Sequence, residues 1–135
     1  MTTTVDKHRR INLNRVSPKV YQAVIALNEA AAEDLDPDLA ELIKIRASQL
    51  NHCAFCLDMH NADARKRGVS EQEQAALALT EEITDLTHRK VSDEVYARAA
   101  AAFSERELGQ VIAMALTINA WNRIGVTTRL PLPKR

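Results

Sequence analysis

Apolar residues along this chain recur at intervals of three and four, and no stretch alternates with period two, so the pattern predicts helices and no sheet. Residues 1–16 are polar, basic and aperiodic and read as an extended arm. Ser17-Pro18 reads as an N-cap followed by proline at the first helical position. It opens a helix running to about Glu33, with Val20, Val24, Leu27 and Ala31 on its apolar face. Asp36-Pro37 repeats that start signal. The helix it opens carries Leu39, Leu42, Ile43, Ile45 and Leu50, too many apolar positions for a narrow stripe, which marks it as central and buried.

A third helix is expected to begin near His52 or Cys53 and to stop at Gly68, just after the basic run Arg65-Lys66-Arg67. Ser70-Glu71-Gln72-Glu73 has the form of a capping box and starts a fourth, carrying Leu77, Leu79 and Ile83. A polar break over 87–91 follows, and Ser92 caps a fifth helix to about Ala102. Ser104-Glu105-Arg106-Glu107 is a second capping box. It opens a sixth helix through Val111, Ile112, Leu116, Ile118 and Trp121 to Ile124, with Gly125 as its stop and Asn122 and Arg123 binding chain ends. Pro131 and Pro133 make the tail irregular. The expected architecture is all-α: a single-domain bundle of about six helices, with an arm over 1–16, a helical domain over 17–126 and a tail over 127–135.

Composition narrows the class. Of 135 residues, 46% are hydrophobic but only 4% aromatic, so the core must be built from Ala, Leu, Ile and Val. Lys plus Arg and Asp plus Glu each total 18, and the zero net charge argues against nucleic-acid binding, which calls for a basic excess. No run approaches the roughly 20 apolar residues that span a bilayer. The first residues hold no apolar segment of a secretory signal, so the expected location is the cytoplasm. In that reducing compartment a lone cysteine pair is a poor structural staple.

The chemistry concentrates in Cys53-Ala54-Phe55-Cys56-Leu57-Asp58-Met59-His60, which holds both cysteines of the chain. On a helix these spacings put Cys53, Cys56 and His60 on one face. Cys53, in the first helical turn, gains most from the unpaired N–H groups that favour a thiolate, and Cys56 gains less. His60 reaches the Cys56 sulfur as base or hydrogen-bond partner. The two thiols can close a disulfide across one turn. Three readings stand beside one another: a redox dithiol, a pair of inert core cysteines, and a zinc site completed by a carboxylate. Structural zinc sites join separate loops or ribbons, whereas these ligands share one helix, which counts against metal. Glu41 is the other candidate. It either pairs with a neighbouring base such as Lys44 or, if its helix packs against the thiol helix, faces His60 and passes protons on. His52 flanks Cys53 and either tunes its thiolate or caps the helix junction, while His8 and His88 fall in loops.

Glu41, eleven residues, Cys53, two, Cys56, three, His60 is in type and spacing the signature of the alkylhydroperoxidase D-like proteins of the carboxymuconolactone decarboxylase superfamily. The chain resembles that family from about Val16 to Val126, including Ile45-Arg46-Ala47-Ser48, Arg67-Gly68-Val69-Ser70 and the run from Ile118 to Ile124. The resemblance implies a thiol-dependent peroxidase without cofactor or bound metal. Cys56 would attack a hydroperoxide, reversing the order given by helix position, and Cys53 would resolve the sulfenic acid to a disulfide. His60 would activate Cys56, with Glu41 linked to it in a proton relay. An external dithiol, of lipoyl or thioredoxin type, would return the electrons, and the chain would assemble as a homo-oligomer, a trimer or hexamer. The alternative is a disulfide oxidoreductase, redox adaptor or sensor with little peroxidase activity. Phe55 stands where the best-known members carry a histidine, so one relay contribution is missing. Decarboxylases of the superfamily generally lack the cysteine pair, which argues against decarboxylation.

Overall fold

The computed structural model describes residues 10–53 and 70–130. Among them are six helices and no strand: α1 (Leu13–Val16), α2 (Pro18–Ala32), α3 (Pro37–Leu50), α4 (Glu71–Thr84), α5 (Asp93–Ala102) and α6 (Glu105–Thr128). The helix expected from Cys53 to Gly68 lies outside the described residues beyond Cys53, as do most of the arm and the Pro131–Pro133 tail.

Helix starts follow the sequence closely. Ser70 and Ser104 each accept the N–H of the glutamate three residues on, and Glu73 and Glu107 each accept in return from the cap's own N–H. Asp36 caps α3 through the Asp38 N–H, and Ser92 caps α5 through the Val95 N–H. Ser17 takes its expected place before Pro18 but makes no side-chain cap. Its N–H instead donates to the Leu13 carbonyl at 2.8 Å, because it also closes α1. That single turn, capped by Asn12, replaces extended chain over 13–16; one turn is too short to leave a periodic signal.

Two helix ends fall where expected, α2 at Ala32 and α5 at Ala102, but the described turns are not made by glycine. The chain turns at Asp34, His52 and Arg129, all in the left-handed region at φ of 54°, 54° and 51°, and no described glycine has positive φ. Gly125 does not stop α6. It lies buried on the helix's inner stripe, one turn beyond Asn122, and the helix runs on to Thr128. The stop comes at Arg129, where the Gly125 carbonyl accepts the Arg129 and Leu130 N–H groups. Pro131 then disfavours helix at Leu130.

The long helix α6 is the axis of the fold, packed against α2, α3, α4 and α5. Its stripe of Leu108, Val111, Met114, Ala115 and Ile118 meets Ile43 and Ala47 of α3 and Ala75, Ala76 and Leu79 of α4 in one core. Alanines at so many buried positions let the helix axes approach closely.

α2 enters this core only through Ala31. Val20 and Leu27, expected on its buried face, are 55% and 41% exposed, and Ala31 is its only buried residue. Its contact stripe is instead Tyr21, Val24, Ile25, Asn28 and Ala31, turned by about one position from the purely apolar reading. Tyr21 packs edge-on against Trp121 with ring centroids 5.2 Å apart. At the other end the Gln110 amide donates to the Ala30 and Glu33 carbonyls at 2.9 and 2.6 Å, satisfying acceptors that every helix leaves open at its C-terminus.

Candidate functional site

The end of α3 fixes the one described cysteine. Asn51 closes the helix, His52 takes the left-handed conformation, and two reverse hydrogen bonds follow. The Cys53 N–H donates to the Ser48 carbonyl at 3.1 Å, and the His52 N–H donates to the Gln49 carbonyl at 3.3 Å. These are the two bonds of a Schellman turn, with histidine in the place usually taken by glycine. His52 thus serves the helix junction, one of the two roles foreseen for it. Cys53 is 2% exposed, disulfide-bonded, and not itself helical. It occupies the position after the left-handed residue, where a hydrophobic side chain commonly packs back on the helix. The expectation that Cys53 sits inside a helical turn is therefore corrected: the turn that ends α3 holds it.

A buried polar ladder ties this turn to the rest of the fold. The Asn51 amide donates to the side-chain oxygens of both Asn119 and Asn122, each at 2.9 Å. Asn122, fully buried, donates to the Ser48 hydroxyl at 2.9 Å. Asn119 donates to the Thr84 hydroxyl at 3.0 Å and to the Ala115 carbonyl at 2.8 Å, and the Arg123 guanidinium donates back to the Asn119 side-chain oxygen at 2.9 Å. One network therefore links α3, α4 and α6. Asn122 pairs with Ser48 and Asn51, and Arg123 with Asn119; the chain ends that the sequence reading gave them lie largely outside the described residues. Asn51 and Thr84 were not singled out, and Ser48 and Asn119 entered only as parts of runs that resemble the family, although a signal existed. Asn119 and Asn122 fall on positions that the helical period assigns to the buried stripe, and a buried amide must find partners.

Glu41 sits in the first half of α3, ten residues before Asn51, a rise of about 15 Å along the axis. The structure does not bring it to Cys53. Its carboxylate lies 3.7 Å from the Lys44 ammonium, one turn on. Farther along the same helix Arg46 donates to Glu81 of α4 at 2.8 Å, which accounts for one more charged group on this mostly apolar element. Cys56 and His60 lie outside the described residues, as do Phe55 and the Arg67–Ser70 junction up to Ser70. Among the described residues no group of three His, Cys, Asp or Glu side chains could hold a metal ion. An open cavity of about 250 Å³ adjoins the ladder, lined by Asn51, Asn122, Arg123, Val126 and Thr127. Among the described residues no helix is long and apolar enough to cross a membrane.

Comparison with known proteins agrees with this architecture. Residues 18–103 match the carboxymuconolactone decarboxylase family. The uncharacterised protein YdfG of Bacillus subtilis (strain 168) is 33% identical over 136 residues, spanning 87% of this chain and 92% of that protein. A crystal structure from Agrobacterium tumefaciens, of a protein of unknown function proposed to be the antioxidant defence protein AhpD, superposes with a TM-score of 0.85. It is 32% identical, over 94% of this chain and 99% of that one. The alkylhydroperoxidase AhpD core of an uncharacterised peroxidase-related protein from Ralstonia eutropha JMP134 shares the fold, with a TM-score of 0.75 at 16% identity over 90% of this chain and 74% of that one.

Proposed function

The chain belongs to the carboxymuconolactone decarboxylase family as an AhpD-like member, and from that membership we propose that it is a thiol-dependent peroxidase working through a Cys53/Cys56 dithiol–disulfide cycle. The observation that carries the reading is the spacing of Glu41, Cys53, Cys56 and His60 on this sequence. The buried, backbone-anchored place of Cys53 supports its role as the resolving thiol, which needs only to reach a sulfur three residues away.

In this reading the Cys56 thiolate attacks a hydroperoxide oxygen. The S–O bond forms as the O–O bond breaks, and the alcohol or water leaves with a proton delivered by His60. Glu41 exchanges protons with His60. Cys53 then attacks the sulfenic sulfur, forming the disulfide and releasing water. An external dithiol of lipoyl or thioredoxin type restores both thiols with two electrons and two protons. Val20, Leu27, Leu116 and Val126, all exposed, support assembly of this chain as a homo-oligomer, a trimer or hexamer.

The test is peroxide titration of the reduced protein, followed by mass spectrometry and turnover with a panel of dithiols. Cys56→Ser is expected to abolish turnover, and Cys53→Ser to stop at the sulfenic acid after one equivalent. Full multiple turnover by Cys56→Ser would overturn the assignment. Rapid exchange with a protein disulfide and no reaction with peroxide would make the chain a disulfide oxidoreductase instead.

A further inference from the structure

Asn122 touches, at two points, the segment that places Cys53. Its amide nitrogen donates to the Ser48 hydroxyl, and its oxygen accepts from the Asn51 amide, each at 2.9 Å. Ser48 is also the residue whose carbonyl receives the Cys53 N–H at 3.1 Å. The Schellman turn is thus pinned to α6 at its first and fourth residues, and the pin is desolvated, since Ser48 and Asn122 are both fully buried. Asn51 adds a second anchor through Asn119, which reaches Thr84 on α4.

We propose that Asn51 and Asn122 are positioning residues that set the reduction potential of the Cys53 disulfide. The inference rests on the reading that Cys53 cycles between thiol and disulfide. A disulfide tolerates only a narrow range of backbone separations, so its stability rises when one cysteine is already held where the bond requires it. In the structure Cys53 is disulfide-bonded with the ladder complete. Cutting the ladder frees the turn, lets the reduced Cys53 move away, and lowers the effective concentration of one sulfur at the other. The ladder touches neither sulfur nor substrate; it acts through the backbone of residues 48–53.

The experiment equilibrates the full chain with reduced and oxidised dithiothreitol in the absence of peroxide. Dithiothreitol gives two electrons and two protons, the protein S–S bond breaks to two thiols, and the reagent closes its own disulfide. Trapped thiols are counted by alkylation and mass spectrometry. Asn51→Ala is expected to lower the equilibrium constant for the protein disulfide at least tenfold, about 30 mV toward easier reduction. Should that variant fail to fold, Asn51→Ser, which loses less volume, gives the same reading. Gln110→Ala is the control: it cuts a side-chain anchor near the other end of α6, remote from Cys53, and is expected to change the constant less than threefold.

A folded Asn51 variant within threefold of the wild type would overturn the proposal. So would an equal shift in Gln110→Ala, since the effect would then follow overall stability. Because no peroxide is present, the two readings fail separately. A shifted constant in a chain that ignores peroxide removes the peroxidase and keeps the positioning role. A chain that peroxide oxidises normally, with no shift, does the reverse.

Discussion

Cys53 donates its backbone N–H to the carbonyl of Ser48, 3.1 Å away, across a turn whose middle residue, His52, is held at φ 54°. A side chain with a β-carbon is strained there by roughly 1–2 kcal/mol, a cost glycine escapes. Part of that gain is lost to the greater freedom of glycine in the unfolded chain. His52→Gly is therefore expected to raise stability by about 0.5–1 kcal/mol. Urea denaturation checks this; a lower midpoint would mean that the His52 side chain contributes contacts that outweigh its backbone strain.

Gln110 is expected to matter more than its half-buried setting near the start of α6 indicates. Its amide closes the last carbonyls of α2, and the rest of α2 is held mainly by a narrow stripe and the Tyr21–Trp121 contact. Gln110→Ala should cost about 1–2 kcal/mol in urea denaturation. Amide exchange should speed up selectively in the final turn of α2, and uniform acceleration across the fold would contradict the local role.

Glu82 is a buried carboxylate, 8% exposed, that accepts from the Ser92 N–H at 2.7 Å and from its hydroxyl at 3.3 Å. It holds the connection from α4 to the start of α5. Glu82→Ala leaves that N–H without its acceptor and is expected to cost about 2 kcal/mol. Glu82→Gln keeps an acceptor oxygen and should cost less than half as much. Equal losses in thermal unfolding would show that the charge, not the hydrogen bond, is what counts.

Acid should loosen the start of α6. The backbone N–H of Ser104, and then its hydroxyl, hold the Glu107 carboxyl below the usual glutamate range. A carboxyl lowered on folding contributes stability that is complete above its unfolded pKa and disappears as pH falls through its folded value. Stability is thus expected to fall with pH on the acid side of the ordinary glutamate range. Glu107→Gln should flatten that part of the curve while leaving the neutral region nearly parallel to wild type. An unchanged acid slope in Glu107→Gln would refute it.

For the proton relay, Glu41→Gln is expected to slow peroxide-dependent oxidation of Cys56 by about 10²-fold, with dithiothreitol reduction of the disulfide unaffected. Stopped-flow oxidation across pH 5–9 reads it. A variant as fast as wild type at every pH would remove Glu41 from the relay and leave it as the ion-pair partner of Lys44.

Starts and ends of helices were legible to different degrees, for a physical reason. Ser70, Ser92, Ser104 and Asp36 announce their helices because a capping side chain must be a small acceptor, and few residue types qualify. The ends near Glu33 and Ala102 were legible, but among the described residues the left-handed positions fall on Asp34, His52 and Arg129, while Gly125, read as a stop, continues its helix. A residue under conformational strain carries no local mark of it. α2 misled through its apolar residues: Val20 and Leu27 point outward because Tyr21, which packs on Trp121 of α6, and the half-buried Asn28 take the contact stripe. At the site, the spacing of Glu41 and Cys53 placed both residues on the chain without showing that about 15 Å of α3 separates them. The asparagine ladder escaped notice because the helical period marks Asn119 and Asn122 as inward without naming their partners, which another helix brings.

The alanine-lined seam between α3, α4 and α6 has a consequence for how uniquely this chain folds. Small side chains give helices a smooth contact surface, and sliding one helix past another by a turn would still bury methyl groups against methyl groups. Amides are less forgiving. Ser48, Asn51, Asn119 and Asn122 satisfy one another in a single alignment, and a shift of one turn, about 5.4 Å, would leave several of them dry and unbonded. The ladder thus works as a gauge for the whole bundle, rejecting near-miss packings that the apolar contacts alone would accept.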